Sequence, residues 1–225
     1  MCSAVLPLAN AQPIAGQQAP EGPAAEGPAA GPRVEGKVDS GWIVSKLARP
    51  APMRTSFVEV RSSRLLKQPL RISGEYLRPD EDTLVRQVRS PYAETTTIRD
   101  GQATIERRGQ QRSYSLSRVP ELGSLRSSFG ALLDGDRAAL ERDFRIEARG
   151  TRAQWILGLV PKHAALAAHV RRIALYGRGA ELRCIETTPA KAGAVQRTLL
   201  ATAARAANAE AVDAEGLAAL CHGES

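Results

Sequence analysis

Aromatic residues make up only 4% of this 225-residue chain, and cysteine and histidine occur three times each. So few rings exclude an interior built on aromatic stacking and leave an aliphatic one. The stacking-aromatic motifs of RNA-binding modules are missing as well. The cysteines, Cys2, Cys184 and Cys221, show no metal-ligand spacing, and His163, His169 and His222 are too scattered for a metal site. A Cys184–Cys221 bridge in an oxidising compartment and two unreactive thiols are both compatible with the sequence. No stretch approaches the ~18 apolar residues of a membrane helix. There is no Gly-x-Ser-x-Gly elbow, no His-x4-Asp, no phosphate-binding loop and no dinucleotide fingerprint. The chain therefore reads as non-catalytic, and no metal or organic cofactor is implied.

Lysine is scarce too, at five of the 31 basic residues, so the net charge of +7 is an arginine charge. The arginines are spread along the polar faces of alternating segments and are interleaved with acids. That pattern is a solvated basic surface with weak attraction for anionic membranes, and it predicts no nucleic-acid partner.

What the chain has in abundance is alternation. Leu70, Ile72, Gly74 and Tyr76 fall on one side of an extended segment, with Arg71, Ser73 and Glu75 on the other. Glu94, Thr96 and Ile98 alternate with Thr95, Thr97 and Arg99, and Phe144, Ile146 and Ala148 alternate with Arg145, Glu147 and Arg149. This period of two predicts strands near 55–62, 69–77, 82–89, 92–99, 102–107, 111–118, 143–149, 153–160, 170–177, 180–187 and 194–201. Asp100-Gly101 is the strongest hairpin signal among them. Asp39 or Ser40 caps a short predicted helix from Gly41 to about Ala48. Pro120 opens a helix carrying Leu122, Leu125, Phe129, Leu132 and Leu133 at helical spacing, which Gly135 ends. A second short helix runs from Asp136 to about Asp143.

Around this core the chain divides further. Residues 1–11 end in Ala9-x-Ala11, the shape of a cleavage site, and are expected to be a truncated signal-peptide remnant. Residues 12–40 are rich in Pro, Ala and Gly and are expected to form a disordered tether. Residues 41–204 hold the folded domain, and 205–225 form an Ala-rich tail. The predicted fold is mainly β: an incomplete antiparallel barrel of about 11 strands, with helical lid segments across its concave face.

Three segments in order, Thr55-Ser56-Phe57-Val58-Glu59, Gly74-Glu75-Tyr76-Leu77-Arg78-Pro79 and Trp155-Ile156-Leu157-Gly158-Leu159-Val160-Pro161, together with the mid-chain helix, resemble the outer-membrane lipoprotein carrier (LolA-like) family over roughly Trp42 to Ala201. The likeness is nearest to a divergent subgroup encoded beside aryl-polyene and fatty-acid biosynthesis genes. It implies a monomeric periplasmic carrier or chaperone that takes an acylated lipid or lipoprotein from an inner-membrane donor to an outer-membrane acceptor. The implied cavity is walled by Phe57, Ile72, Tyr76, Leu84, Val88, Ile98, Leu122, Leu125, Phe129, Leu132 and Leu157. The same residues also suit an ordinary packed core, and the tightness of the lid decides between the two. Arg78 matches the family arginine that latches the lid through backbone carbonyls, a task suited to a fork of five donors. The alternative reading is a non-catalytic interaction module of a membrane-associated lipid assembly complex, without cargo.

Overall fold

The computed structural model describes residues 37–61, 70–116, 130–209 and 212–223. The expected signal remnant, most of the tether, and the lid residues Leu122, Leu125 and Phe129 lie outside them.

Two antiparallel meanders make one eleven-stranded sheet. The first is β1 (Met53–Arg61), β2 (Leu70–Arg78), β3 (Leu84–Ser90), β4 (Glu94–Arg99), β5 (Gln102–Arg107) and β6 (Gln110–Ser115). The second is β7 (Phe144–Gly150), β8 (Trp155–Pro161), β9 (Val170–Arg178), β10 (Glu181–Pro189) and β11 (Gln196–Leu200). They join where the first strand pairs with the last, Phe57 opposite Leu200, and the strand order is β6-β5-β4-β3-β2-β1-β11-β10-β9-β8-β7. The sheet stays open, with β6 and β7 as its edges. Asp100 and Gly101 both take positive φ (49° and 71°) between paired Arg99 and Gln102, the two-residue turn whose twist suits a hairpin.

Alternation gives the sheet two differently covered faces. Phe57 belongs to one buried cluster and its neighbour Val58 to another. On the Phe57 side, here termed the inner face, lie α1 (Ser40–Leu47), helical residues 130–134 (α2) and α3 (Arg137–Asp143). Ile43, Val44 and Leu47 of α1, Ala131 and Leu132 of α2 and Leu140 of α3 pack with Phe144, Trp155, Leu157, Leu159 and Leu175 of the sheet. Asp39 caps α1 by accepting from the Trp42 amide at 2.9 Å, as its sequence suggests. The one-turn helix α4 (Ala164–Ala167) adds Leu166 to this cluster.

The outer face is covered by α5 (Ala201–Ala209) and α6 (Ala214–His222). Where the sequence reading expects an Ala-rich tail with a frayed helix, the chain forms two helices that fold back onto the sheet. Ala203, Ala204 and Ala207 are buried against Val58, Cys184 and Leu199, where side chains of one carbon bring the helix close to the strands. Arg71 of β2 donates to the Ala207 carbonyl at the end of α5. A Cys184–Cys221 disulfide, with Cα atoms 5.1 Å apart, stitches α6 to β10 and decides between the bridge and free thiols.

Candidate functional site

Arg78 ends β2 on the inner side, two residues beyond Tyr76, and only 3% of it is exposed. Its guanidinium donates to the Arg49 carbonyl at 2.9 Å and to the Glu81 carbonyl at 3.3 Å. It also pairs with the carboxylates of Glu81 and Asp134. Arg49 follows α1 and Asp134 ends α2, so one side chain joins the β2–β3 turn to both covering segments. Those segments are also tied to each other, since the Arg49 amide donates to the Leu133 carbonyl at 2.8 Å. The acceptor contributed by α2 to Arg78 is a side-chain carboxylate, where the resemblance implies a backbone carbonyl.

Of the residues proposed to wall a cavity, Phe57, Ile72, Val88, Leu132 and Leu157 converge in one buried cluster, with Tyr76 packed against it. The Phe57 and Tyr76 ring centroids are 4.8 Å apart. Gly74 permits this crowding: a Cβ there would sit 1.9 Å from the Gln87 carbonyl oxygen and 3.0 Å from the Phe57 ring. Leu84 and Ile98 occupy a separate, smaller cluster with Ala103 and Leu116, further towards the β6 edge. Leu122, Leu125 and Phe129 are outside the described residues.

Beside Phe57 stands a polar group that the sequence reading missed. Glu59, 5% exposed, accepts from Arg61 Nε at 2.7 Å and, through its other oxygen, from Arg86 at 3.0 Å. The Arg86 guanidinium lies 4.7 Å from the Phe57 ring centroid, a cation–π contact. Burial pushes the Tyr76 hydroxyl pKa above its ordinary value; Glu59 reinforces this and Arg86 opposes it. Further along the same face Arg107 stacks on Tyr92 at 4.1 Å and reaches Glu94 at 3.7 Å. The sequence did hold the signal, because Phe57-x-Glu59-x-Arg61 has the period that places all three on one face.

The outer face holds a second polar group. Glu186 accepts from Arg197 Nε at 2.8 Å, and its carboxylate is 3.2 Å from His222 Nε2. Cys221 adjoins this pair, but its sulfur is committed to the disulfide, which leaves too few ligands for a metal ion. The group anchors the end of α6 to β10 and β11.

Residues 29–224 match the family described as outer membrane lipoprotein carrier protein LolA-like. A LolA superfamily protein from Nitrosomonas europaea is similar in structure, with 12% identity, a TM-score of 0.38, and coverage of 71% of this chain and 90% of that one. LprF from Mycobacterium bovis is similar at 12% identity and a TM-score of 0.33, covering 72% of this chain and 89% of that one. Among curated proteins no sequence matches this chain significantly. With a match over most of its length and an open eleven-stranded sheet, the chain belongs to the LolA-like family and has its lipid and lipoprotein carrier fold.

Proposed function

We propose that this protein is a periplasmic carrier that shields an acyl chain, of a lipoprotein or a lipid-linked polyene, and moves it towards the outer membrane. Members of its family are non-catalytic periplasmic carriers. No helix among the described residues is long and apolar enough to cross a membrane. The Cys184–Cys221 disulfide suits an oxidising compartment.

The observation that carries the proposal is the unequal covering of one sheet. Phe57, Ile72, Val88 and Leu157 gather on the inner face beneath segments joined to it by packing and by the hydrogen bonds of Arg78. Among the described residues that cover has no disulfide, whereas the outer one does. A removable cover over an apolar face is what transferable cargo requires. Burying about 12 methylenes at about 0.8 kcal/mol each gains roughly 10 kcal/mol gross. Displacing the cover subtracts from this gain and keeps the acyl chain exchangeable between an inner-membrane donor and an outer-membrane acceptor.

Native mass spectrometry of the protein purified from a periplasmic extract tests the reading. Added mass that organic extraction identifies as acylated lipid, and saturable binding of a fluorescent fatty acid by the delipidated protein, are the expected results. A folded protein that carries no lipid and binds no probe would be an interaction module instead.

A further inference from the structure

Resting on that carrier reading, we infer that Glu59, Arg61 and Arg86 form a receptor for an oxyanion headgroup, a carboxylate or phosphate, on the cargo. A buried carboxylate needs one cation, and Glu59 has two, one guanidinium on each oxygen. The group therefore carries one excess positive charge on the inner face of the sheet.

The carboxylate needs only one of the two cations, and the second, on half-exposed Arg61, is left to water or to an anion that displaces it. Two features point to a ligand. Arg86 lies over the Phe57 ring and is bonded to Glu59, so its fork is fixed before any ligand arrives. Arg61 spends its Nε on Glu59 yet leaves 47% of its side chain exposed, so the group has one rigid arm and one accessible arm. Guanidiniums match carboxylate and phosphate oxygens through paired N–H donors, and such bonds strengthen as water is excluded.

Position supplies the other half of the argument. Phe57 is two residues from Glu59 on the same face and belongs to the cluster with Ile72, Val88 and Leu157. A ligand held at the arginines thus has the buried apolar cluster within the length of a few methylenes once the inner cover moves aside, which is the plan of an amphiphile with an anionic head. In this arrangement Glu59 is a competitor as well as an organiser. It holds both guanidiniums in place, and it weakens an incoming anion by repulsion.

The test compares two fluorescent probes on the full chain: pyrenedodecanoic acid and its methyl ester, which differ only in head charge. Wild type should bind the acid roughly tenfold more tightly, the scale of a single charge-assisted hydrogen bond. Arg61→Gln should bring the acid-to-ester ratio to about one. Glu59→Gln should raise that ratio above the wild-type value, a change opposite in sign that a merely structural role does not produce. Equal binding of acid and ester by wild type overturns the headgroup site and leaves the carrier reading standing. So does an Arg61→Gln variant that weakens both probes equally. Inorganic phosphate should compete only weakly; if it binds as tightly as the acid, the site serves a free anion and the inference falls. Binding of neither probe sinks the carrier reading itself.

Discussion

One sheet carries two covers that are built on different principles. The outer cover, α5 and α6, rests on alanines pressed against strands and is locked by the Cys184–Cys221 bond. The inner cover, α1 with α2 and α3, rests on larger aliphatic side chains and is gathered at Arg78 by hydrogen bonds to two separate segments. Small residues and a covalent tie give a contact that does not reopen. A cover held by packing and by hydrogen bonds such as those of Arg78 and the Arg49–Ala180 contact has no covalent tie to break before it opens. On the proposed reading, the outer cover keeps the sheet folded and the inner cover is the one that exchanges.

The largest test of that division is the disulfide. Replacing Cys184 and Cys221 together by Ser should destabilise the protein by about 4 kcal/mol, from the closure entropy of a loop of 37 residues, as read by denaturant unfolding. Acyl-probe affinity of the folded fraction should hold. If affinity falls in step with stability, the outer cover is not independent of the inner site.

Arg78→Leu comes next. It keeps bulk and removes every donor, so the closed inner cover should lose about 1.5–3 kcal/mol. The variant should load probe at least as well as wild type and release it to acceptor membranes more slowly. Hydrogen exchange should speed up in α1 and α2 and stay unchanged in α5 and α6. Equal loss of protection in both covers would break the comparison.

The smallest test is a matched pair. Asp39 caps α1 and Asp213 caps α6, each accepting from a backbone amide at 2.9 Å. Either Asp→Ala change should lower stability by about 1 kcal/mol. Only Asp39→Ala should alter the rate of probe entry in stopped-flow fluorescence, because only α1 lies over the inner face.

Much of this fold is legible in the sequence because it is written in alternation. Leu70, Ile72 and Tyr76 fall together on the inner face and Glu75 on the other, as a period of two requires. The α1 cap at Asp39 and the Asp100-Gly101 turn are legible for the same reason, since each is a local backbone rule. The C-terminal helices are not. Ala203, Ala204 and Ala207 are buried for their small size, and alanine gives little amphipathic contrast to mark a buried face. The separation of Leu84 and Ile98 from the main cluster is equally hidden, because alternation assigns a face and says nothing of position across eleven strands. At the candidate site, Arg61 and Arg86 read as part of a solvated arginine surface. Spacing alone places Glu59 beside Arg61, but the link to Arg86 appears only when β1 and β3 are brought to either side of β2.

The pairing of the first strand with the last has a consequence during synthesis. While the chain is still emerging from the ribosome, β1 has only β2 beside it, and its other edge waits for Gln196–Leu200, the last strand of the sheet to be made. The seam at the middle of the sheet closes only after β11 has been made, and it joins strands far apart in the sequence, the kind of contact that slows folding. Until then both meanders present an unpaired backbone edge at what will become the centre of the sheet. Any truncation before β11 leaves a sheet in two halves.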